Sequence, residues 1–430
     1  MDAAKNLTYE ELSGERELLL KKYTEFREMN LSLDLSRGKP CLAQLDLSSE
    51  LLALPGKDDY ISEEGIDCRN YDTDLRGLIE VRRLFSDILE VPVENVVLGG
   101  NASLALLHDA LTRAFLFGPL PGFKPWCKYD KIKFICPVPG YDWHFHVLDQ
   151  LGVEMISFKT GPEGPDPDEI REAVKDPAVK GMICVPQYGN PSGVTYSDEL
   201  VRTLAEMETA APDFRIFWDN AYCVHHFYDE PEKQDRLANI FDLARAAGHE
   251  DRVLIFASTS KITFPGAGIS CMAASGANIE EMLRVRKYRL VNYDKLNYLR
   301  HIRFLPDLKA VKEHMKKQAS FLRPKFEYID ERLGRELKPL GYGDWNTPRG
   351  GYFICFYAPK GCAKRIVSLC KEMGVTLTPA GAAYPYEHDP DDSAIRLAPS
   401  FADMEDIPLV MDVFVTAVKL AATEKQLEEA

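Results

Sequence analysis

The chain has 430 residues, of which 45% are hydrophobic and 28% are charged, the proportions of an ordinary globular protein. Its formal net charge is -15 at pH 7, which argues against a nucleic-acid or anionic-membrane surface because those partners need a basic face. The ten cysteines include no CxxC pair and predict free thiols in a reducing compartment. Because the acidic N-terminal segment lacks a signal-peptide pattern and no apolar run has transmembrane length, we expect a cytoplasmic protein.

Five short apolar runs, each followed by a polar or glycine-rich turn, predict strands that are buried on both faces of a parallel sheet. Helical patterns lie between them, at residues 102–117 and 197–211. Strand followed by helix, repeated along the chain, predicts a doubly wound, mostly parallel α/β sheet with right-handed crossovers. The five runs are residues 95–101, 131–141, 180–190, 214–222 and 252–261.

The two ends of the chain differ from this middle part. The N-terminal segment has the pattern of a helix followed by a short extended stretch, and residues 314–334 form a long amphipathic helical pattern with short strand patterns after it. Helices beside short strands indicate an α+β unit. We therefore predict a large α/β domain over residues 49–305 and a small α+β domain assembled from residues 1–48 and 306–430.

Polar residues follow the predicted strands directly. In open α/β sheets the carboxyl ends of the strands form the edge at which ligands bind, so this position predicts a functional site. The residues concerned are Asn101, Tyr141, Asn190, Asp219 and Lys261.

Lys261 is the single charged residue of the segment FASTSKITFPGAGIS, in which its neighbours are small, hydroxylic or apolar. Desolvation in such surroundings favours a neutral, nucleophilic amine that can form a Schiff base. An ordinary loop lysine is the alternative interpretation of this segment. A lysine that carries pyridoxal phosphate needs a carboxylate for the ring nitrogen, donors for the ring oxygen, a phosphate cradle and an arginine for the substrate carboxylate.

The sequence supplies a candidate for each of these groups. Asp219 ends an apolar strand, Tyr222 follows three residues later, and Asn190 lies in an NPSG turn. Arg396 lies in the apolar segment AIRLA, and LGGNASLALL is a glycine-rich turn that opens a helix. Each feature alone is weak evidence, because caps, common turns and structural ion pairs produce the same patterns. Their joint occurrence, in a consistent order after strands, favours a cofactor site.

The motifs NPSG, DNAY and STSK, in this order, resemble those of fold type I pyridoxal-phosphate aminotransferases. The segments LSRGKP, RNYDTDLRG, CPVPGYDWHF, DNAYCVHH and SKITFPGAGIS are similar to those of the bacterial aspartate aminotransferase subgroup called type Ic, which is related to the aminotransferase-like half of MocR regulators. The resemblance implies a transaminase that binds pyridoxal 5'-phosphate, uses L-aspartate and 2-oxoglutarate by a ping-pong mechanism, and forms a homodimer with shared active sites.

The resemblance also implies roles for individual residues. Lys261 would hold the cofactor and move the substrate proton, Asp219 would pair with the pyridinium nitrogen, and Tyr141 would stack on the ring. Tyr222 and Asn190 would bind the ring oxygen. The remaining implied contacts are with the phosphate, from Gly100, Asn101, Ala102, Ser258 and, across the dimer, Tyr71, and with the substrate carboxylate, from Arg396, Asn190 and Gly38.

Two features leave questions open. Many relatives carry a phosphate-binding arginine after the lysine, whereas this chain has Gly268 and Ile269 in that stretch. The phosphate charge must then be balanced by helix-terminal N–H groups, hydroxyls or a cation that the sequence does not locate. A substrate with a distal carboxylate needs a second cation, for which Arg37, Lys39 and the run RVRKYRL are candidates.

Other functions are compatible with parts of this pattern. Transamination of other amino acids, carbon–sulfur lysis and β-decarboxylation use the same cofactor parts. A MocR-like regulator would need a DNA-binding domain, for which the segment before the first motif is too short and acidic. The presence of Lys261, Asp219 and Arg396 disfavours an inactive scaffold. The pairs His144/His146 and His225/His226 lack a metal-site cluster around them, so no metal is expected.

Overall fold

A computed structural model describes residues 8–430. Within this range the chain forms thirteen α-helices, thirteen β-strands and seven short 3-10 helices. The α-helices are α1 Tyr9–Glu28, α2 Leu42–Asp46, α3 Ile79–Leu89, α4 Ser103–Phe117, α5 Asp142–Gln150, α6 Pro167–Ala173, α7 Asp198–Glu206, α8 Ile240–Ala246, α9 Gly276–Arg286, α10 Lys295–Phe304, α11 Leu308–Glu336, α12 Ala363–Glu372 and α13 Ile407–Glu429.

The strands are β1 Leu33–Asp34, β2 Val96–Leu98, β3 Lys133–Val138, β4 Glu154–Gly161, β5 Gly164–Pro165, β6 Val179–Cys184, β7 Arg215–Asp219, β8 Val253–Ser258, β9 Ser270–Ala274, β10 Asp344–Trp345, β11 Ile354–Tyr357, β12 Val375–Thr376 and β13 Ala394–Leu397. The 3-10 helices are Ser49–Ala53, Val93–Asn95, Trp126–Lys128, Pro231–Lys233, Glu250–Arg252, Lys338–Leu340 and Pro385–Glu387.

The largest sheet has eight strands in the order β2-β9-β8-β7-β6-β3-β4-β5. The neighbours from β8 to β4 are parallel, which confirms the predicted doubly wound α/β architecture. Strand β9 was not predicted, and it is antiparallel to both β8 and β2. The loop between β8 and β9 contains no helix, and without a crossover helix the chain returns in the antiparallel direction.

Both faces of this sheet are covered, as strand β7 illustrates. Ile216 and Trp218 belong to the core on one face, whereas Phe217 belongs to the core on the other. The Phe217 ring lies 5.7 Å from that of Phe134 and 6.2 Å from that of Phe256, measured between centroids. Burial on both faces explains why β3, β6, β7 and β8 lack polar alternation in the sequence.

A third core involves both ends of the chain. Strand β1 pairs in parallel with β12, and β10, β11 and β13 form an antiparallel sheet. Leu19 of α1 lies in the same core as Phe356 of β11 and Phe414 of α13. This packing supports the proposed small domain. Its boundaries at residues 48 and 306 stay predictions, and residues 1–7 of that domain lie outside the described residues.

Across residues 8–430, no helix combines the length and the apolar character needed to cross a membrane. In the same described range, no three His, Cys, Asp or Glu side chains gather where they could hold a metal ion. The ten cysteines are all free thiols.

Candidate active site

Strands β7 and β8 position the residues at the centre of the site. Asp219 is the last residue of β7 and is in register with Phe256 of β8. Ser258 ends β8, and Lys261 follows three residues later. Because carboxyl ends of parallel strands meet at one sheet edge, residues that are far apart in sequence come together here.

Lys261 is half-buried, and among residues 8–430 no group forms a hydrogen bond or an ion pair with its amine. Its Nζ lies 5.0 Å from the centroid of the Tyr222 ring. Burial holds the pKa of the Lys261 amine below its ordinary value, and the Asp219 carboxylate opposes that shift. The backbone carbonyl of Lys261 accepts hydrogen bonds from His225 Nε2 and from the Tyr352 hydroxyl, both at 3.3 Å. The backbone is therefore held while the amine stays free.

Asp219 is only 3% exposed, and its two carboxylate oxygens differ. Oδ2 lies 3.1 Å from Nε2 of His144, which is also buried. Oδ1 has no hydrogen-bond partner. A buried carboxylate oxygen without a partner is costly, so this arrangement is suited to a ligand that brings a proton or a positive charge.

Two tyrosines lie beside this carboxylate. Burial, with a smaller contribution from Asp219, raises the pKa of both the Tyr141 and the Tyr222 phenols well above the ordinary range. Both are therefore neutral hydroxyl donors at any physiological pH. The Tyr222 hydroxyl has no hydrogen-bond partner among the described residues. The Tyr141 ring meets the His144 ring edge to face, with centroids 4.9 Å apart.

The glycine-rich turn predicted to hold phosphate leads into helix α4. Ala102 is the N-cap residue of this helix, no side chain caps it, and its first turn contains no acidic residue. The first N–H groups of a helix lack partners within the helix, so an uncapped start is a natural anion site. The turn is tied to the lysine loop because Ser260 Oγ donates to the Asn101 carbonyl at 2.7 Å. Ser258 Oγ in turn donates to Ser260 Oγ at 3.0 Å.

A cation that the sequence did not locate lies close to this turn. Arg286 is fully buried, and its Nη1 donates to the carbonyl of Leu98, two residues before Gly100. Its guanidinium lies 5.1 Å from the Tyr293 ring, the ring that also borders Gly100. Arg286 forms no ion pair within the described residues. Its positive charge is thus available to balance an anion held at the turn.

Arg396, in β13, makes contacts at all three of its guanidinium nitrogens. Nη1 and Nη2 lie 3.1 and 3.4 Å from the two carboxylate oxygens of Asp142. Nη1 also reaches Asn190 Oδ1 at 3.4 Å, and Nε donates to Thr378 Oγ1 at 3.1 Å. The structure therefore brings Arg396 and Asn190 together, as the predicted substrate site requires.

Lys261, Tyr222 and Arg396 line one cavity of about 750 Å³, whereas Asp219 and the turn before α4 are not part of its wall. Gly38 is part of its wall, and a Cβ on Gly38 would come within 2.1 Å of the Phe353 ring, so no larger residue fits there. The residues around the cavity include Ser36, Arg37, Gly38, Tyr141, Asp142, Trp143, Asn190, Tyr222, Lys261, Phe353, Lys371, Thr378 and Arg396.

The cavity wall distinguishes among the cations predicted for a distal carboxylate. Arg37 lines the cavity, together with Lys371, which the sequence did not single out. Neither has an ion-pair partner among residues 8–430. Lys39 instead lies over the Phe401 ring, with its Nζ 3.6 Å from the centroid. The run RVRKYRL contributes no residue to the cavity wall.

Tyr71 lies apart from this cluster. Its side chain is 79% exposed, and it does not line the cavity. An intrasubunit role in the site is therefore not supported. The predicted contact across a dimer stays a prediction.

Sequence reasoning missed several residues that contact the predicted ones. The sequence indicates His144 only as part of a possible metal pair, and no motif singles out Asp142, Thr378, Ser260 or Lys371. The position of His144 and Asp142 within CPVPGYDWHF, beside Tyr141, was the one available signal. Thr378 and Lys371 are far from every motif in the sequence, so only the fold could reveal them.

A mixed α/β sheet with this strand order, together with a lysine at its carboxyl edge, matches the fold type I architecture of aminotransferases. The chain belongs to the aspartate aminotransferase family, whose sequence model matches residues 7–430. It is 44% identical to an aspartate aminotransferase from Corynebacterium glutamicum over 94% of this chain and 93% of that protein. It is 43% identical to a putative aminotransferase from Mycolicibacterium smegmatis over 98% of both chains.

A solved structure gives the same result. The crystal structure of an aspartate transaminase from Corynebacterium glutamicum superposes with a TM-score of 0.95 at 42% sequence identity. The match covers 98% of this chain and 99% of that chain. The protein is accordingly a transaminase, with amino acids and 2-oxo acids as its class of substrates.

Proposed function

We propose that this protein transfers the amino group of L-aspartate to 2-oxoglutarate, with pyridoxal 5'-phosphate attached to Lys261. The observation that carries the proposal is a set of three polar groups that have no hydrogen-bond partner among residues 8–430: the Lys261 amine, the Tyr222 hydroxyl and Asp219 Oδ1. An amine, a phenol and a carboxylate match the aldehyde, the ring oxygen and the ring nitrogen of that cofactor. The 44% identical aspartate aminotransferase supports the choice of substrate.

The residues present fit the cofactor at each of its ends. Asp219, held by His144, would pair with the ring nitrogen, and Tyr222 with Asn190 would bind the ring oxygen. Tyr141 would lie on the ring face. The phosphate would meet Gly100, Asn101 and Ala102 at the start of α4, with Ser258 and Ser260 beside them. Pyridoxal phosphate, when bound, supplies the electron sink that lets a proton leave the substrate Cα.

Side chains of the protein would orient the substrate and transfer its proton. Arg396 and Asn190 orient the substrate through its α-carboxylate, because a guanidinium and an amide together fix a planar anion. The Lys261 amine, whose pKa burial lowers, would remove the proton from the substrate Cα. The nearly enclosed position of Tyr222 and Asp219 keeps water from the charges that develop.

The distal carboxylate of a four- or five-carbon dicarboxylic acid would bind Arg37 and Lys371. Both line the cavity, and neither is neutralised by an ion pair within the described residues. Arg37 and Lys371 belong to different segments of the chain, and both have flexible side chains. They can therefore reach the distal carboxylate of substrates that differ in length by one methylene. This assignment is part of the proposal.

We also propose that the protein forms a homodimer. Tyr71, Tyr288 and Val291 are exposed at 79%, 83% and 57%, more than apolar or aromatic side chains usually are. In such a dimer these side chains would be buried, and Tyr71 would reach the phosphate of the neighbouring subunit. The free thiols support a reducing, cytoplasmic compartment.

The proposal is tested by the visible absorbance spectrum of the purified protein. Addition of L-aspartate should bleach the band of the lysine-bound cofactor, and 2-oxoglutarate should restore it. A band that does not respond to L-aspartate would contradict the proposed donor. Release of ammonia or carbon dioxide without an oxo acid would instead indicate a lyase or a decarboxylase.

A further inference from the structure

The guanidinium predicted to bind the substrate carboxylate is already paired with a carboxylate of the protein. Asp142 and Arg396 meet at two points, with N–O distances of 3.1 and 3.4 Å. Their side chains are only 16% and 11% exposed. Asp142 is the first residue of α5, where the helix dipole favours a negative charge. The pair is thus well supported and largely removed from solvent.

The contacts of Arg396 leave little room for a second two-point partner. A guanidinium has five N–H groups in a planar fork. Nε is used by Thr378, Nη1 by Asp142 and Asn190, and one N–H of Nη2 by Asp142. A single N–H of Nη2 is left. A substrate carboxylate that binds Nη1 and Nη2 in two-point fashion must therefore replace Asp142.

We propose that Asp142 is an internal competitor for the substrate carboxylate. The proposal rests on the proposed function, in which Arg396 binds the α-carboxylate. Between turnovers Asp142 neutralises a buried guanidinium, which would be costly to leave unpaired. An incoming carboxylate displaces Asp142, and Asp142 returns to Arg396 as the product leaves. The exchange weakens substrate binding and favours release, so it sets KM rather than the chemical step.

The substitution Asp142→Asn tests this role, because asparagine has nearly the same shape without the charge. In the holoenzyme we expect the Kd of succinate, an unreactive dicarboxylate, to fall about three- to tenfold when measured by calorimetry. The KM for L-aspartate should fall by a similar factor, without a rise in kcat. The matched control is Asp149→Asn, which removes the same charge from an exposed position of the same helix and should leave the Kd unchanged.

A purely structural role of Asp142 predicts the opposite change in succinate binding. If Asp142 served only to hold Arg396 in place, Asp142→Asn would weaken succinate binding and raise KM, and an unchanged Kd would equally overturn the proposal. A crystal structure of the wild-type holoenzyme with succinate decides the question without any variant. Displacement of the Asp142 carboxylate to more than about 4 Å from the guanidinium supports competition, and a retained pair contradicts it. Because succinate binding requires no turnover, these results hold whether or not L-aspartate proves to be the donor.

Discussion

His144 Nε2 lies 3.1 Å from one carboxylate oxygen of Asp219, and the other oxygen has no partner. A carboxylate accepts hydrogen bonds, so the imidazole must donate through Nε2. The contact holds the carboxylate through Oδ2 and leaves Oδ1 available to a ligand. A residue at the start of α5 thereby orients a residue at the end of β7, across two elements that are far apart in sequence.

Replacement of His144 by Asn should impair both stability and turnover. The shorter side chain leaves Asp219 Oδ2 buried without a partner, at a cost of about 1–3 kcal/mol in the free energy of unfolding. A less well oriented carboxylate should also lower kcat about ten- to a hundredfold. Thermal unfolding and steady-state kinetics measure the two effects. His146→Asn, at an exposed position of the same helix, is the control and should change neither.

Replacement of Arg396 by Lys should weaken substrate binding although the charge is kept. An ammonium cannot form two parallel hydrogen bonds with a carboxylate. We expect kcat/KM for L-aspartate to fall about ten- to a hundredfold, the equivalent of one charge-assisted hydrogen bond. Arg365→Lys, in the partly exposed ion pair with Glu424, is the control. Wild-type kinetics in Arg396→Lys would remove this residue from the substrate site.

Replacement of Arg37 or Lys371 by Ala should affect only ligands with a distal carboxylate. The Kd of succinate in the holoenzyme should rise about five- to tenfold for each, whereas the Kd of butyrate, which has one carboxylate, should stay constant. Lys39→Ala is the informative control, because that cation lies on Phe401 and not on the cavity wall. An equal rise in Kd for succinate and butyrate would indicate that Arg37 and Lys371 do not bind the distal carboxylate.

The lowered pKa of Lys261 predicts how the apoprotein captures pyridoxal phosphate as pH changes. The neutral amine reacts, so the capture rate should rise with pH and reach its plateau below the ordinary lysine value of 10.5. Asp219 opposes the shift, so Asp219→Asn should move the rise to still lower pH. Stopped-flow absorbance with a free lysine derivative as reference gives both profiles. A rise that coincides with that of the reference would show that burial does not control this amine.

The sequence predicted β2, β3, β6, β7 and β8 because these strands are continuously apolar, but it did not predict β4, along which burial alternates. The runs that became β3, β6, β7 and β8 carry little alternation, as strands covered on both faces require. Strand β9 begins at Ser270, where the lysine motif ends, and none of the predicted runs covers it, so its reversed direction is not predicted. The long helix α11 extends beyond the predicted residues 314–334 at both ends. Its start at Leu308 is set by the Asp307 cap, which the periodicity of apolar residues does not register.

The site shows a similar division. The sequence could place Lys261, Asp219 and Asn190 at the carboxyl edge of the sheet, because each lies at or after the end of an apolar run in a recognisable motif. The sequence could not predict the side chains that contact them, because pairs such as Asp142 with Arg396 join residues separated by 254 positions. Arg286 illustrates the same limit. In the sequence it is one of several cations in RVRKYRL, and only burial beside Leu98 and Tyr293 distinguishes it from Arg284 and Arg289.

The most direct test of the central claim is to locate the cofactor on the chain. The purified holoenzyme is treated with borohydride, digested and analysed by mass spectrometry, with Lys261→Ala treated in parallel. A phosphopyridoxyl group on the peptide that contains Lys261, absent from the variant, is the predicted result. A group attached to another lysine, or no group on a protein that has been incubated with pyridoxal phosphate, would contradict the account.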